Sequence, residues 1–477
     1  MSSRMLSDEV VAHLQGLVGS RNIRESPDHH VAGVRPCAEV LVGDVDELAD
    51  VMRVAAESDL TVCPTGGGTK LGWGAPPRAC DLLVRTTAWR AEGSVGSGEA
   101  RHAEGHLLPP LGSMGAITEY DPDNLTVTAG AGTTLAALQD LAARDGLLLP
   151  LDPPMPESAT LGGVLSTNDH GPHRMLHGSM RDVVLGLGAV LVGGDRVKAG
   201  GRTIKNVTGY DLTRLFIGAF GSLGVMSEAT IRLLPGPSRE HVVVGSMPDL
   251  AAADAAVRGL LGSQLIPAAI EVLSPASSRM VDADVVGIMG AGGHVVVVAF
   301  EGDAVAVERQ VRDVVRVLGE EGTTLILTAP GPVSSVWSAL AAQRRAARSA
   351  GYSVEAKLSV PRSELLGLLG LAESLPAAAQ GDLMWTASAG SGTARLWLGS
   401  PGTVGAAPPG CCDLLLRVRA AAERVGGSLV LVEGADILCG ELDVWGADPG
   451  GVDLMRTLKG KFDPRGLMNP GRCAGGI

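Results

Sequence analysis

The residues best arranged to do chemistry are Pro64-Thr65-Gly66-Gly67-Gly68-Thr69-Lys70-Leu71-Gly72. They follow an apolar run ending at Thr61-Val62-Cys63, which reads as a short buried strand. Three successive glycines leave the turn without Cβ atoms, so backbone N–H groups can converge and a ligand can come close. That is the chemistry of a diphosphate cradle. The spacing is neither G-x-G-x-x-G nor G-x-x-x-x-G-K-[ST], which sets aside the usual dinucleotide and P-loop readings. Taken alone, the turn is equally compatible with a tight loop of no chemical role.

Three further stretches bear on that choice. Residues 159–182 read ATLGGVLSTNDHGPHRMLHGSMRD, residues 205–228 read KNVTGYDLTRLFIGAFGSLGVMSE, and residues 461–472 read KFDPRGLMNPGR. Together with 64–72, these resemble the FAD-binding flavoproteins of the vanillyl-alcohol oxidase (PCMH) type. Within that group, Gly171-Pro172, Lys205–Leu212 and Phe220–Glu228 are most similar to the FAD-binding E subunit of bacterial glycolate oxidase. The resemblance implies an α+β fold: a two-lobed PCMH-type FAD-binding domain followed by a ferredoxin-like cap domain.

It also implies where FAD would lie. Backbone N–H groups from Thr65 through Gly66, Gly67 and Gly68 to Thr69 would hold the diphosphate without a counter-cation, with Leu71 and Gly72 completing the turn. Thr160, Gly162, Gly163, Asn168, Gly171 and Gly178 would line the flavin and ribityl side. Gly224 and Val225 would meet the adenine or ribityl end. The alternative is that these glycines serve only tight turns. Some members of the group attach FAD through a histidine beside the turn; here Lys70 follows Thr69, so non-covalent FAD is expected. Lys70 itself reads as a solvated or phosphate-edge lysine rather than a base.

No catalytic residue is assigned. Oxidising a 2-hydroxy acid requires a cation for the carboxylate, a base for the hydroxyl proton and a hydride acceptor. Related subunits carry a His-x-Gly-Asp-Gly-Asn-x-His type segment in the cap; the corresponding stretch here, Ser428–Asp436, has no histidine, and none follows His294. His170, His173, Arg174 and His177 are candidates near the flavin motif, each read first as structural. Arg395, Glu433 and Asp436 are candidates in the cap, while Arg181-Asp182, Tyr210-Asp211 and Arg214 read as fold-holding polar pairs.

The elements that must position these residues follow from periodicity. Ser7–Val18 and Asp44–Ser58 read as capped amphipathic helices, with strands at Val40–Val42, Leu60–Cys63 and Asp81–Arg85. Trp89–Met114 has no periodicity and interrupts the domain, as a disordered surface insertion over about 89–116 would. Beyond it come a strand at Leu125–Ala129, a helix at Thr134–Asp145, helix-like Val164–Thr167 and a hairpin around Gly193-Gly194-Asp195. Asp211–Ile217 reads as a short helix and Ala229–Leu234 as a strand. Pro235-Gly236-Pro237 marks a boundary. After it, strands at Glu240–Met247, Ile270–Leu273, Gly293–Phe300 and Ser353–Leu358 alternate with helices at Ala251–Leu261, Ala304–Leu318 and Arg362–Leu371. Ala394–Leu398, Cys411–Val425 and Ser428–Val432 continue the layer, and Val452–Phe462 is a last helix. The expected domains are an N-terminal helix (1–30), the FAD domain (31–237), the cap (238–455) and a tail returning to the FAD domain (456–477).

Bulk properties narrow the class. At 477 residues the chain exceeds one ordinary core. A net charge of −13 argues against nucleic acid as a general partner. Seven cysteines form no C-x-x-C pair, which suits a reducing cytoplasm and gives neither a metal site nor an iron–sulfur cluster. The vicinal Cys411-Cys412 reads as two loop thiols rather than a redox pair. No signal peptide is expected, and no apolar run is long enough to span a membrane. Cytoplasmic placement follows, with peripheral attachment to the membrane only through partners.

The leading expectation is an FAD-binding subunit of a glycolate oxidase-like complex, oxidising glycolate or D-lactate-type substrates beside a second flavoprotein subunit and an iron–sulfur subunit. The alternatives are a stand-alone FAD-dependent oxidase of another alcohol or hydroxy acid, and a catalytically silent flavin-holding assembly subunit.

Overall fold

The computed structural model describes residues 6–87, 113–203, 211–281, 293–319, 323–376, 383–399, 407–438, 442–448 and 450–477. Most of the expected insertion, Lys205–Tyr210 and Cys439 lie outside the described residues. The chain divides into two compact units. The first comprises Met1–Asp169, Ser179–Gly236 and Asp448–Ile477; the second comprises His170–Gly178 and Pro237–Ala447.

Among the described residues the first unit carries two large sheets and a two-stranded ladder of Leu147–Leu148 with Leu234–Pro235. Strands Ile23–Glu25, Ala38–Leu41, Leu82–Arg85 and Val62–Thr65 lie in that order, the last three mutually parallel. Helix Val45–Glu57 makes the crossover from Ala38–Leu41 to Val62–Thr65, parallel strands that flank Leu82–Arg85. Asp44 starts it by accepting a hydrogen bond from the Glu47 N–H at 2.8 Å. Its buried face, Leu48, Val51, Met52 and Ala55, keeps helical spacing. The second sheet is antiparallel, in the order Ile117–Asp121, Thr126–Gly130, Val225–Arg232, Val184–Val190 and Arg196–Gly200. One apolar cluster joins the sheets, running from Val40, Val62 and Val84 to Val127, Ala129 and Val225.

The second unit is built on one eight-stranded antiparallel sheet, ordered Thr323–Leu327, Arg239–Met247, His294–Gly302, Ala269–Leu273, Leu383–Ser388, Thr393–Gly399, Tyr352–Ser359 and Ser428–Glu433. Val242 and Val244 pack with Val333 and Val336 of helix Pro330–Ser349 on one face. Leu318 of helix Ala304–Gly319 approaches Gly245, one residue out of phase and so on the other face. A strand covered on both faces should be apolar throughout, and Val295–Phe300 is buried without a break. Both units therefore mix sheets with helices, an α+β architecture. Helix Pro330–Ser349 and strands Thr323–Leu327 and Leu383–Ser388 are additions to the sequence reading. Cys411 and Cys412 open helix Cys411–Arg424 rather than sitting in a loop, and burial pushes the Cys411 thiol up to about 12.

Candidate cofactor cleft

Strand Val62–Thr65 ends at the glycine turn, and a buried ion pair fixes how it ends. Glu39, fully buried, accepts from Arg85 Nε at 2.5 Å. Arg85 Nη1 then donates to the Gly66 carbonyl at 2.8 Å, and Thr87 Oγ1 donates to the same oxygen at 3.2 Å. With its carbonyls held, the turn leaves donors open: the N–H groups of Gly66, Gly67 and Gly68 meet no protein acceptor among the described residues.

The two glycine turns of the first unit pack directly on each other. A Cβ on Gly66 would lie 2.0 Å from Thr160 Oγ1, and one on Gly67 would lie 1.8 Å from the Ser158 carbonyl oxygen. Gly68 has φ +76°, a left-handed conformation that glycine adopts without penalty. Thr160 caps helix Leu161–Thr167, its Oγ1 accepting from Gly163 N–H at 3.3 Å. Gly162 N–H donates to Ala131 O at 2.8 Å. The amides of Gly162 and Gly163 are thus used within the fold, and these residues offer a ligand a side-chain-free wall rather than donors.

Between the turns lies a cleft of about 680 Å³, open to solvent. Of the residues expected to bind, Thr65, Gly66, Gly67, Gly68, Thr69, Leu71, Thr160, Gly162, Gly163 and Val225 line it. The others do not. Gly72 lies just past the lining, and Gly224 packs where a Cβ would meet Val190 O at 2.8 Å. Asn168 ends helix Leu161–Thr167 in the left-handed conformation, and Gly171 and Gly178 belong to the second unit. Added by the structure are Thr86, Ala131, Ser166, Phe220 and Asn469, brought in by contacts far apart in sequence.

Two charged side chains line the cleft among the described residues, Lys70 and Arg472. Lys70 is buried, not solvated as its loop position suggests. Its Nζ lies 3.2 Å from Asp169 Oδ2, itself 1% exposed, and 5.6 Å from the Trp73 ring. Arg472 arrives on the C-terminal tail, which lies beside the strand that delivers the turn. Val62 N–H donates to Leu467 O at 2.8 Å, and Asn469 N–H donates to Val62 O at 2.9 Å. Buried Lys459 secures the tail, bonding Asp463 at 2.6 Å and Met468 O at 2.7 Å.

None of the candidate catalytic side chains is among the described residues that line the cleft. Within the second unit, His177 Nε2 lies 2.5 Å from Glu301 Oε1, His173 packs edge-on against Trp337, and His170 meets Arg174. Arg395 Nη1 is 2.7 Å from Glu355 Oε1, and Glu433 accepts from Arg344 at 3.1 Å. Arg214 pairs with Asp211 at 2.8 Å on the surface of the first unit.

Comparison with known proteins shows the family. Residues 86–200 match the family model of an FAD binding domain, and residues 236–430 with 444–473 match that of the FAD linked oxidases, C-terminal domain. The chain belongs to the FAD-linked oxidase family. This oxidase is 26% identical to glycolate oxidase subunit GlcD of Bacillus subtilis (strain 168) over 456 residues, 92% of this chain and 88% of that one. It is 42% identical to glycolate oxidase subunit GlcE of Escherichia coli (strain K12) over 122 residues, 25% of this chain and 35% of GlcE. Its fold superposes on 4-ethylphenol oxidase from Gulosibacter chungangensis with a TM-score of 0.70 at 14% identity, over 98% of this chain and 97% of that one.

As an FAD-linked oxidase it is an FAD-dependent oxidoreductase, and the cleft fits that cofactor's phosphates. Open amides and a cationic lining suit an anion, and the glycine wall admits it without steric conflict. Among the described residues no helix is long and apolar enough to cross a membrane.

Proposed function

We propose that this chain is the FAD-binding subunit of a glycolate oxidase-like complex, oxidising a small 2-hydroxy acid of the glycolate or D-lactate class to the 2-oxo acid. Electrons pass in this reading to a second flavoprotein subunit and an iron–sulfur subunit. One conjunction carries it: a cleft with three open amides and a cationic lining, in a chain similar to glycolate oxidase subunit GlcD along 92% of its length. The N–H groups of Gly66, Gly67 and Gly68 would hold the diphosphate, the Glu39–Arg85 pair keeping the Gly66 carbonyl engaged elsewhere. Thr160, Gly162 and Gly163 would form the wall against which the cofactor rests. When bound, FAD supplies the two-electron acceptor for the substrate C–H bond. No histidine lines the cleft among the described residues, which supports non-covalent binding.

The test is to purify the chain, record flavin absorbance, and add glycolate or D-lactate with an artificial electron acceptor, first alone and then with co-expressed partner subunits. Bound FAD that turns over only with partners is the expected result. Bleaching by the lone chain would replace this reading with a stand-alone oxidase. FAD that stays inert with partners present would leave an assembly role.

A further inference from the structure

We propose that strand Thr323–Leu327, at one edge of the eight-stranded sheet, is a docking surface for a second copy of this chain, the two edges pairing antiparallel about a two-fold axis. On one side the strand is bonded to Arg239–Met247 without a break in register. On its other side no hydrogen bond reaches it among the described residues. A bare row of backbone donors and acceptors is a template for another strand, and proteins normally blunt such an edge with charge, a bulge or covering chain. The remaining outer strands of the three larger sheets are blunted. Ile23–Glu25 carries Arg24 and Glu25, Ile117–Asp121 carries Glu119 and Asp121, and Arg196–Gly200 carries Arg196 and Lys198. The C-terminal tail covers Val62–Thr65, Val62 N–H donating to Leu467 O, and Leu431 N–H of Ser428–Glu433 donates to Val444 O at 2.8 Å. Thr323–Leu327 reads TTLIL, without charge, proline or glycine, and its Ile326 is 43% exposed.

Closure and charge both select a second copy as the occupant. A strand donated by another protein would leave its own outer edge bare, whereas two-fold pairing joins the two free edges and leaves none. Head-to-tail addition into a filament would need the opposite edge, Ser428–Glu433, which Val444 already holds. A chain of net charge −13 meets its own copy most readily where no like charges face each other. The strand is uncharged, and helix Pro330–Ser349, packed on the same sheet face through Val333 and Val336, has no charged residue over 330–343. Antiparallel pairing centred on Leu325 sets Leu325 against Leu325 of the second copy and Thr324 against its Ile326. Such aliphatic and β-branched pairs are the kind that stabilise a ladder.

Sedimentation equilibrium of the full-length natural chain and of two double variants tests this. The natural chain should dimerise. Thr324→Lys with Ile326→Lys sets lysine against lysine twice in each dimer and should raise the dissociation constant at least about tenfold. Mixed with the chain carrying Thr324→Glu and Ile326→Glu, it should form heterodimers more tightly than either variant pairs with itself. A natural chain that stays monomeric overturns the proposal. So does a lysine variant that dimerises like the natural chain, or a mixture with no preference for the heterodimer. Should the variants not fold, amide hydrogen exchange of the natural chain decides: the Thr323–Leu327 amides must exchange more slowly in the dimer than in the dilute monomer, and equal rates refute the claim. Protection of that strand only when a different subunit is added refutes it too, because the edge then serves a heterologous partner.

Discussion

The cleft of the first unit and the charged network of the second handle polar groups in opposite ways. In the second unit, Glu355, 2% exposed, receives Arg344 Nε at 2.6 Å and Arg395 Nη1 at 2.7 Å, while Glu433 receives Arg344 at 3.1 Å and also Arg348. These carboxylates meet guanidiniums of the same unit. In the cleft, three consecutive amides stay open beside lining cations. A buried polar group must find a partner. Where the chain supplies that partner the cluster holds the fold; the half-buried amides of the cleft face solvent and leave room for a ligand to supply it. Arg395 and Glu433, no more than possible from sequence as a carboxylate clamp and a base, fall on the fold-holding side.

The largest expected effect would come from breaking the closed network. Glu355→Gln leaves one buried and one half-buried guanidinium short of a charge and should destabilise the chain by roughly 3–5 kcal/mol in denaturant unfolding. FAD affinity of the remaining folded fraction should stay within about threefold of the natural chain. A comparable loss of FAD affinity would end the distinction drawn above. The same carboxylate sets a pH dependence. Burial alone would raise its pKa, but the charges and hydrogen bonds of Arg344 and Arg395 bring it below the usual carboxylate range. Its stabilising contribution is therefore present above the unfolded value of about 4.3 and disappears as pH falls through the lower folded value. Acid unfolding followed by circular dichroism should show a shallower acid limb for Glu355→Gln than for the natural chain.

Next in size is Gly67→Ala, whose methyl would meet the Ser158 carbonyl at 1.8 Å. Separating the two glycine turns should lower stability by about 3 kcal/mol and leave the purified protein without flavin absorbance. Full colour in this variant would mean that the cleft is not where FAD sits. Thr160→Val removes the acceptor for Gly163 N–H and should lower stability by about 1 kcal/mol, with Thr160→Ser close to the natural chain. The smallest effect belongs to surface pairs such as Arg258–Asp254, where Arg258→Ala should leave the denaturant midpoint of unfolding unchanged.

Legibility in the sequence followed the range of the interaction. The caps at Ser7 and Asp44 were readable because each acts on an amide three residues ahead. Helix Pro330–Ser349 was not, since Pro330-Gly331-Pro332 reads as a breaker; the structure places proline in the first turn, where its missing N–H does no harm. The burial of Lys70 was hidden as well, because Asp169 lies about a hundred residues away and neither residue shows periodicity. Likewise, nothing local indicates that Glu39 and Arg85, each in an apolar strand, would meet and fix the glycine turn.

The sequence by itself determined that a side-chain-free turn follows a buried strand, because three glycines permit nothing bulkier and the apolar run fixes what precedes them. It also determined that a second glycine turn and a distinctive tail belong to the same chain. Only the tertiary structure decided that these three segments share one cleft and which amides remain open there. Those outcomes depend on contacts between residues up to 401 positions apart, whose partners are chosen by packing and burial rather than by neighbouring residues.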